Sequence, residues 1–238
     1  MKKGNIVAVV ALILSIVAIG MNLIGIGSKS QLSVEEALMK NPEVIVNAMK
    51  NYEEKKREEA LAQYQKAIDE NIEALTNDPN SGVMGNPSGK IVLVEFFDFS
   101  CGYCHRLFPA IKSLIAKNPD LKVITKELAF VSPFSDYAGR AALTAKEQGK
   151  YKEMYDALFS YEGQLNEVKI DEIAGKIGLN MEKFKADVNS DKIKGFMKAN
   201  NELAGKVQVS GVPTMVLNGK MLQTIDEATI QEAINKAK

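Results

Sequence analysis

The chain has 238 residues, enough for one large domain or for a medium-sized domain with an appendage. Thirty basic and thirty acidic side chains cancel, so the charge balance does not indicate a nucleic acid or an anionic surface as the main partner. Two cysteines and one histidine are too few for a typical structural zinc site or for a disulfide-stapled miniprotein. We therefore predict no metal and no bound cofactor.

The N-terminus has the pattern of an export signal. Lys2 and Lys3 precede an uncharged, mainly aliphatic stretch over residues 4–28. This stretch is as long as the roughly 20 apolar residues that span a bilayer, and no Ala-x-Ala cleavage site follows it. We expect residues 1–28 to be an uncleaved signal anchor, with residues 5–27 in the membrane, or a signal peptide that is removed. With the lysines inside, the rest of the chain faces outward, where disulfides can form.

Residues 29–77 are rich in helix-forming residues and predict a helical stalk. Ser33 followed by Glu36 resembles a capping box, and Pro42 is typical of the start of a second helix. A narrow apolar stripe then repeats at steps of three or four residues: Leu61, Tyr64, Ile68, Ile72 and Leu75. Such a stripe favours a coiled-coil-like seam between chains, so we expect homo-oligomerisation through residues 31–76. The alternative is that this helix packs on its own catalytic domain or acts as a spacer.

A turn-rich segment at residues 78–89 predicts a linker before the catalytic domain. The run Ile91–Phe97 has no polar alternation, which indicates a strand that is buried on both faces. A helix should begin at the cysteines, and residues 121–128 should form a second strand. Residues 137–205 are then mostly helical in pattern.

Strand character returns at residues 214–217, and the Asn218-Gly219 turn predicts a hairpin with residues 221–224. A last helix should cover residues 227–237. This order of elements predicts an α/β thioredoxin fold over residues 90–238, with a helical insertion at about 130–205.

The two cysteines occur as Cys101-Gly102-Tyr103-Cys104-His105, at a strand-to-helix junction. This spacing indicates a redox pair. Cys101 at the helix N-terminus is the expected nucleophile, because the helix dipole favours a thiolate there, and Cys104 is the expected resolving thiol. His105 could stabilise the thiolate as an imidazolium or could simply lie exposed on the helix. Because Cys-x-x-Cys-His is also a c-type haem attachment signature, haem bound through His105 is a rival interpretation.

Together, Val94-Glu95-Phe96-Phe97, the cysteine motif, the helical insertion and Gly211-Val212-Pro213-Thr214 resemble the DsbA-like disulfide oxidoreductases of the bacterial cell envelope. The preceding Lys40–Val44 segment resembles the N-terminal stalk of trimeric members, the suppressor-of-copper-sensitivity C proteins. The Gly-Tyr pair between the cysteines resembles the DsbC disulfide isomerases. The resemblance implies a periplasmic location and favours a trimer.

The resemblance also assigns roles to supporting residues. Glu95 interrupts a doubly buried strand, where desolvation should raise its pKa, and in the family the matching acid helps to move the proton of the resolving thiol. Lys126 matches a lysine near that acid, which implies a partial ion pair; the alternative is a solvent-facing strand residue. The family also places a cis-proline loop, here Val212-Pro213, opposite the cysteines, where its backbone pairs with the substrate.

The sequence therefore predicts an exported thiol–disulfide oxidoreductase that acts on proteins with cysteines or disulfides and exchanges electrons with a membrane redox partner. The Gly102-Tyr103 pair and the stalk favour a disulfide isomerase or reductase, whereas Val212 before the proline is more typical of an oxidase. Two other classes remain: a membrane-tethered c-type haem electron carrier, and a non-catalytic scaffold that keeps a relict thiol pair.

Overall fold

The computed structural model describes residues 34–238. The predicted anchor at residues 1–28 and the capping residue Ser33 lie outside this range. Among the described residues, no helix is both long and apolar enough to cross a membrane. The chain divides into two compact units whose boundary along the sequence falls between Glu58 and Glu59, within one helix. Each unit is described by itself.

The N-terminal unit contains helix α1 (Val34–Lys40) and the first part of α2 (Glu43–Glu70). Seven of its described large apolar side chains are unusually exposed, with at least 46% of each accessible: Val34, Met39, Val44, Ile45, Val46, Met49 and Tyr52. Helices that expose this much apolar surface are typical of an interaction surface.

The C-terminal unit is built on a five-stranded mixed sheet. Its strands are β1 (Gly82–Gly85), β2 (Ile91–Phe97), β3 (Leu121–Glu127), β4 (Thr214–Leu217) and β5 (Lys220–Met221), in the spatial order β1-β3-β2-β4-β5. The β2–β3 pair is parallel, and the other pairs are antiparallel. The predicted central strand is confirmed: β2 is buried on both faces, which explains its unbroken apolar sequence.

The remainder of the unit is helical. The helices are α3 (Ile72–Thr76), α4 (Gly102–Lys117), α5 (Ser135–Lys146), α6 (Tyr151–Phe159), α7 (Glu167–Lys176), α8 (Met181–Asp187), α9 (Asp191–Lys206) and α10 (Glu227–Lys236). The helical block between β3 and β4 and the final helix agree with the prediction. The hairpin strand β5 is shorter than predicted, because pairing ends at Val216 opposite Met221. The thioredoxin-like α/β fold is thus confirmed.

Each face of the sheet carries its own apolar core. Leu93, Phe97 and Val123 face one core, which α4, α5, α6 and α10 help to build. Val94, Phe96 and Ile124 face the other core, together with side chains from α2, α3 and α9. Because successive side chains along a strand point to opposite faces, neighbouring residues of a strand enter different cores.

Two features of the segment before β2 differ from the favoured prediction. The 78–89 segment is not only a linker, because its residues Gly82–Gly85 form the edge strand β1 on β3. The apolar stripe assigned to an interchain seam is in part intramolecular, since Ile68 and Leu75 are fully buried in the second core. Burial of these side chains on their own sheet removes the need for a partner chain at this end of the stalk.

Candidate functional site

The cysteine pair lies where β2 gives way to α4. Cys101 is the N-cap of α4 in an extended conformation, and Cys104 follows one turn later. The backbone N–H of Cys101 donates to Asp98 O (3.0 Å), and the N–H of His105 donates to Cys101 O (3.0 Å). The other N–H groups of the first turn point toward the thiol end of the helix, where they favour negative charge.

Both cysteines are free thiols in the structure, and both are largely shielded from solvent. Burial raises the pKa of the Cys104 thiol strongly, and the nearby Cys101 and Glu95 add to this effect against a backbone hydrogen bond from Asp98. A resolving thiol with so high a pKa needs a neighbouring group to accept its proton before it can react.

The dipeptide between the cysteines is exposed. Gly102 has open space around the position of a Cβ, and Tyr103 has 69% of its surface accessible. The guanidinium of Arg106 lies 4.2 Å from the centroid of the Tyr103 ring, a cation–π arrangement that holds the ring against the first turn of α4. This aromatic surface lies two residues after Cys101 and faces water.

The predicted proline loop lies against the nucleophile. The Val212–Pro213 peptide bond is cis, as the resemblance implies. The Cys101 thiol donates to the Val212 carbonyl oxygen across 3.5 Å. The structure therefore brings Cys101 and the Val212-Pro213 backbone together, although more than a hundred residues separate them in the chain.

Glu95 lies in β2, the strand that leads to the cysteines, and its charge raises the pKa of the Cys104 thiol. Only 1% of its surface is exposed, and its Oε2 atom accepts a hydrogen bond from the Tyr155 hydroxyl at 3.0 Å. Burial, opposed by this hydrogen bond and reinforced by the charge of Glu127, raises the pKa of Glu95 to about 7. A carboxyl with this pKa can both accept and release a proton near neutral pH.

Lys126 does not lie near Glu95, so the predicted ion pair is wrong. In the parallel register Lys126 is opposite Phe96, which places its side chain on the other face of the sheet. There its Nζ atom binds Asp78 Oδ2 at 2.8 Å and Ala74 O at 3.2 Å. The alternative of a solvent-facing residue is also wrong, since Lys126 is 1% exposed.

His105 is half-buried, so the alternative of a freely exposed residue is wrong, and its role beside the thiolate stays a prediction. Its Nε2 atom lies 2.7 Å from the Phe99 carbonyl oxygen, which can only accept, so Nε2 carries the proton. The ring also stacks edge-on against Phe159, with centroids 5.1 Å apart. A haem iron could bind this nitrogen only after the hydrogen bond to Phe99 is broken.

Asp98 is a site residue that the sequence analysis missed. Its carboxylate accepts from the Ser100 N–H (2.7 Å) and from the N–H groups of Phe130 and Val131 (2.8 Å each). The side chain thus ties the loop before Cys101 to the loop after β3. Phe130 and Val131 are about half exposed, so Asp98 holds two apolar side chains at the surface near the active-site loop.

An aromatic cluster under the motif was also missed. Its members are Phe97, Phe99, Phe108, Tyr155 and Phe159, and neighbouring ring centroids lie 4.7–5.9 Å apart. These rings exclude water from the region between β2, α4 and α6, which accounts for the desolvation of Cys104 and Glu95. The signal was present in the sequence as aromatic residues at strand and helix spacing, but only the fold brings them together.

Comparison with known proteins assigns the family. Residues 92–235 match the family described as the DSBA-like thioredoxin domain. The chain belongs to this family. It is 33% identical over 147 residues to the thiol:disulfide interchange protein DsbA of Pseudomonas aeruginosa, an alignment that covers 59% of this chain and 69% of that protein.

Other similar proteins cover different fractions of the chain. The crystal structure of Proteus mirabilis ScsC in a compact conformation is 29% identical, with a TM-score of 0.63 over 81% of this chain and 96% of that chain. The Na(+)/H(+) antiporter NhaA 3 of Salinispora tropica is 28% identical over 140 residues, or 58% of this chain. The chain spans only 22% of the length of that antiporter. The family match and the similarity to DsbA place the chain in the family of DsbA-like thiol–disulfide oxidoreductases.

Proposed function

We propose that the protein is an exported thiol–disulfide oxidoreductase that acts on cysteines and disulfides of other proteins through Cys101 and Cys104. The observation that carries this proposal is the placement of Cys101, at the N-terminus of α4 and 3.5 Å from the carbonyl of Val212 in the cis-proline loop. A protein substrate in extended conformation can pair with that loop while its sulfur faces Cys101.

The exchange runs in two steps. The thiolate of Cys101 attacks a substrate disulfide, forms a mixed disulfide and releases one substrate sulfur. Cys104 then loses its proton to Glu95 and attacks Cys101, which closes the Cys101–Cys104 disulfide and releases the second substrate sulfur as a thiolate. The reverse sequence oxidises a substrate dithiol, so the same residues serve both directions.

The preferred direction is that of a disulfide isomerase or reductase. Gly102 and Tyr103 between the cysteines and the exposed apolar side chains of the N-terminal unit support it, because several active sites held together can work on one misfolded substrate. The similarity to ScsC over 81% of this chain supports a helical N-terminal segment, and a trimer is the assembly we favour. The alternative is a dithiol oxidase, which Val212 before Pro213 favours.

The location and redox partner follow from the same proposal. The basic and apolar residues at the start of the sequence support export across the inner membrane of a bacterium, with the chain anchored there or released after cleavage. A dithiol that cycles there needs a partner that reduces or oxidises it, and we propose a membrane redox protein. A haem stain on the purified full chain tests the remote alternative, since covalent haem would contradict the disulfide chemistry.

The experiment that tests the direction compares two activities of the full chain: refolding of a scrambled-disulfide substrate and oxidation of a reduced substrate. The matched variant is Ile45→Glu with Met49→Glu, because both side chains are exposed and both belong to the N-terminal unit. We expect the double variant to dissociate in sedimentation velocity and to lose isomerase activity while its Cys101 still reacts. Strong oxidation that is unaffected by the double substitution would contradict the isomerase proposal and favour the oxidase.

A further inference from the structure

A second buried acid lies on the same face of the sheet as Glu95. Glu95 is opposite Thr125 in the β2–β3 register, and Glu127 is two residues further along β3. Because alternate side chains share a face, Glu95 and Glu127 both point toward the core that contains α4 and α6. Each carboxyl is 1% exposed.

Two tyrosines of one helix bind the two acids. The hydroxyl of Tyr155 donates to Glu95, and the hydroxyl of Tyr151 donates to Glu127. Residues four apart lie on the same side of a helix, so α6 presents both hydroxyls to the sheet at once. The Asn200 amide of α9 adds a hydrogen bond to Glu127 Oε2 at 3.1 Å.

The groups that face this pair are known from every element packed against it. Glu95 accepts a hydrogen bond from Tyr155 of α6, and its charge raises the pKa of the Cys104 thiol on α4. Glu127 meets Tyr151 of α6 and Asn200 of α9. Lys126, next in sequence, is on the opposite face in its ion pair with Asp78, although its charge still lowers the pKa of Glu127. Burial raises the pKa of Glu127 to about 7, the same value as for Glu95.

We propose that Glu127 is a positioning residue of the redox centre, which shares one proton with Glu95 and thereby keeps Glu95 a competent acceptor for the proton of Cys104. The inference rests on the proposed role of Glu95 in the exchange reaction. Two buried carboxylates on one face repel each other, so a pair that already carries two negative charges takes up a proton readily.

The step balances without an outside reactant. In the mixed disulfide of Cys101, the S–H bond of Cys104 breaks, its proton moves to Glu95, and its sulfur bonds to Cys101. The bond between Cys101 and the substrate sulfur breaks, and the substrate leaves as a thiolate with that electron pair. The Cys101–Cys104 pair is oxidised and the substrate is reduced. Glu127 forms no bond with the reacting atoms.

Glu127→Gln removes the like charge while keeping the shape of the side chain and an oxygen that can accept from Tyr151. Glu95 then becomes a weaker base. We expect the midpoint of the acidic limb of the rate profile to fall by about 1 pH unit and the rate at high pH to fall about threefold. The matched control is Glu153→Gln, which removes an exposed carboxyl from the same helix that carries both tyrosines.

The test uses the full chain with thionitrobenzoate joined to Cys101. Attack by Cys104 releases the coloured thiolate, and stopped-flow absorbance gives the rate as a function of pH. We expect the shift in Glu127→Gln and no shift in Glu153→Gln. An unshifted profile in Glu127→Gln would overturn the role of Glu127 while the exchange function stands. Failure of the wild-type chain to release the thiolate would overturn both the proposed function and this inference.

A second measurement does not depend on a variant that folds. Carbon-13 NMR of the reduced wild-type chain, labelled at glutamate side-chain carboxyls, follows the two buried acids as the pH changes. Coupled acids each titrate in two steps, because each one senses the other. We expect two-step curves for Glu95 and Glu127, and independent single-step curves would overturn the inference.

Discussion

Replacing Glu95 by glutamine removes a carboxyl that the fold buries under the cysteine pair, and it should stabilise the protein at neutral pH. The amide keeps the size of the side chain and an oxygen that can accept from Tyr155, which now donates at 3.0 Å. Burial raises the pKa of Glu95 from 4.5 to about 7 in the folded chain. The folded state therefore holds a proton that the unfolded state loses.

The sign and size of the effect follow from this difference. Below pH 4.5 both states carry the proton, and the carboxyl costs no stability. As the pH rises from 4.5 to 7, only the unfolded state releases the proton, so the free energy of unfolding falls. At about 1.4 kcal/mol per pH unit, the total loss is about 3 kcal/mol, and it is complete above pH 7. Glu95→Gln avoids this loss.

Urea unfolding followed by circular dichroism measures the effect under reducing conditions at pH 4.5 and pH 8. We expect Glu95→Gln and the wild type to have similar stability at pH 4.5, and the variant to be more stable by about 3 kcal/mol at pH 8. The same variant should release thionitrobenzoate from Cys101 more slowly. A stability difference that does not change with pH, or a variant that is less stable at pH 8, would refute the assignment of a buried, proton-holding carboxyl.

Three further predictions concern neighbouring residues. Lys126→Met should lower stability by about 2 kcal/mol by leaving Asp78 unpaired, but should leave the pH profile of exchange unchanged; a shifted profile would place Lys126 on the face of Glu95. Asp98→Ala should cost about 3 kcal/mol in urea unfolding, and Asp98→Asn about 1 kcal/mol, because asparagine keeps one of the two acceptor oxygens; equal losses would argue against the hydrogen-bond account. His105→Ala should cost about 1 kcal/mol through the lost bond to Phe99 and retain dithiol exchange, and complete loss of exchange would give the histidine a chemical role.

The central part of the fold could be predicted because its signals are local. The apolar run of β2 indicates a strand covered on both faces, and Cys101-Gly102-Tyr103-Cys104 at its end indicates a redox pair on a helix N-terminus. The prediction of a cis bond before Pro213 rests on the family resemblance, since most peptide bonds before proline are trans. The structure agrees on the buried strand, on the helix that begins at the cysteines and on the cis bond, whereas the redox role of the pair stays a prediction.

The contacts of Lys126 could not be predicted, because the sequence of a single strand does not determine its register against the neighbouring strand. Shifting β3 by one residue against β2 would move Lys126 to the face of Glu95 and Glu127 away from it. The observed register does the opposite. The buried acid on the same face as Glu95 is therefore Glu127, the residue after Lys126. No local pattern in the sequence distinguishes it.

The edge strand β1 and the stalk were misjudged for a related reason. In the sequence, Gly82 belongs to a turn-rich segment. In the structure, a Cβ at this position would lie 2.0 Å from the Tyr151 ring. Glycine therefore allows the strand to approach α6 closely. An apolar stripe shows that a helix has a partner surface but does not show which one. Ile68 and Leu75 pack against the sheet of the same unit.

The most direct test of the central claim is the oxidation state of the two cysteines in the full chain, equilibrated across mixtures of reduced and oxidised glutathione. Alkylation followed by mass spectrometry counts the free thiols at each potential. We predict that Cys101 and Cys104 are oxidised together in one two-electron transition, and that Cys101→Ser removes it. Cysteines that oxidise independently, or that never form a disulfide with each other, would contradict the account.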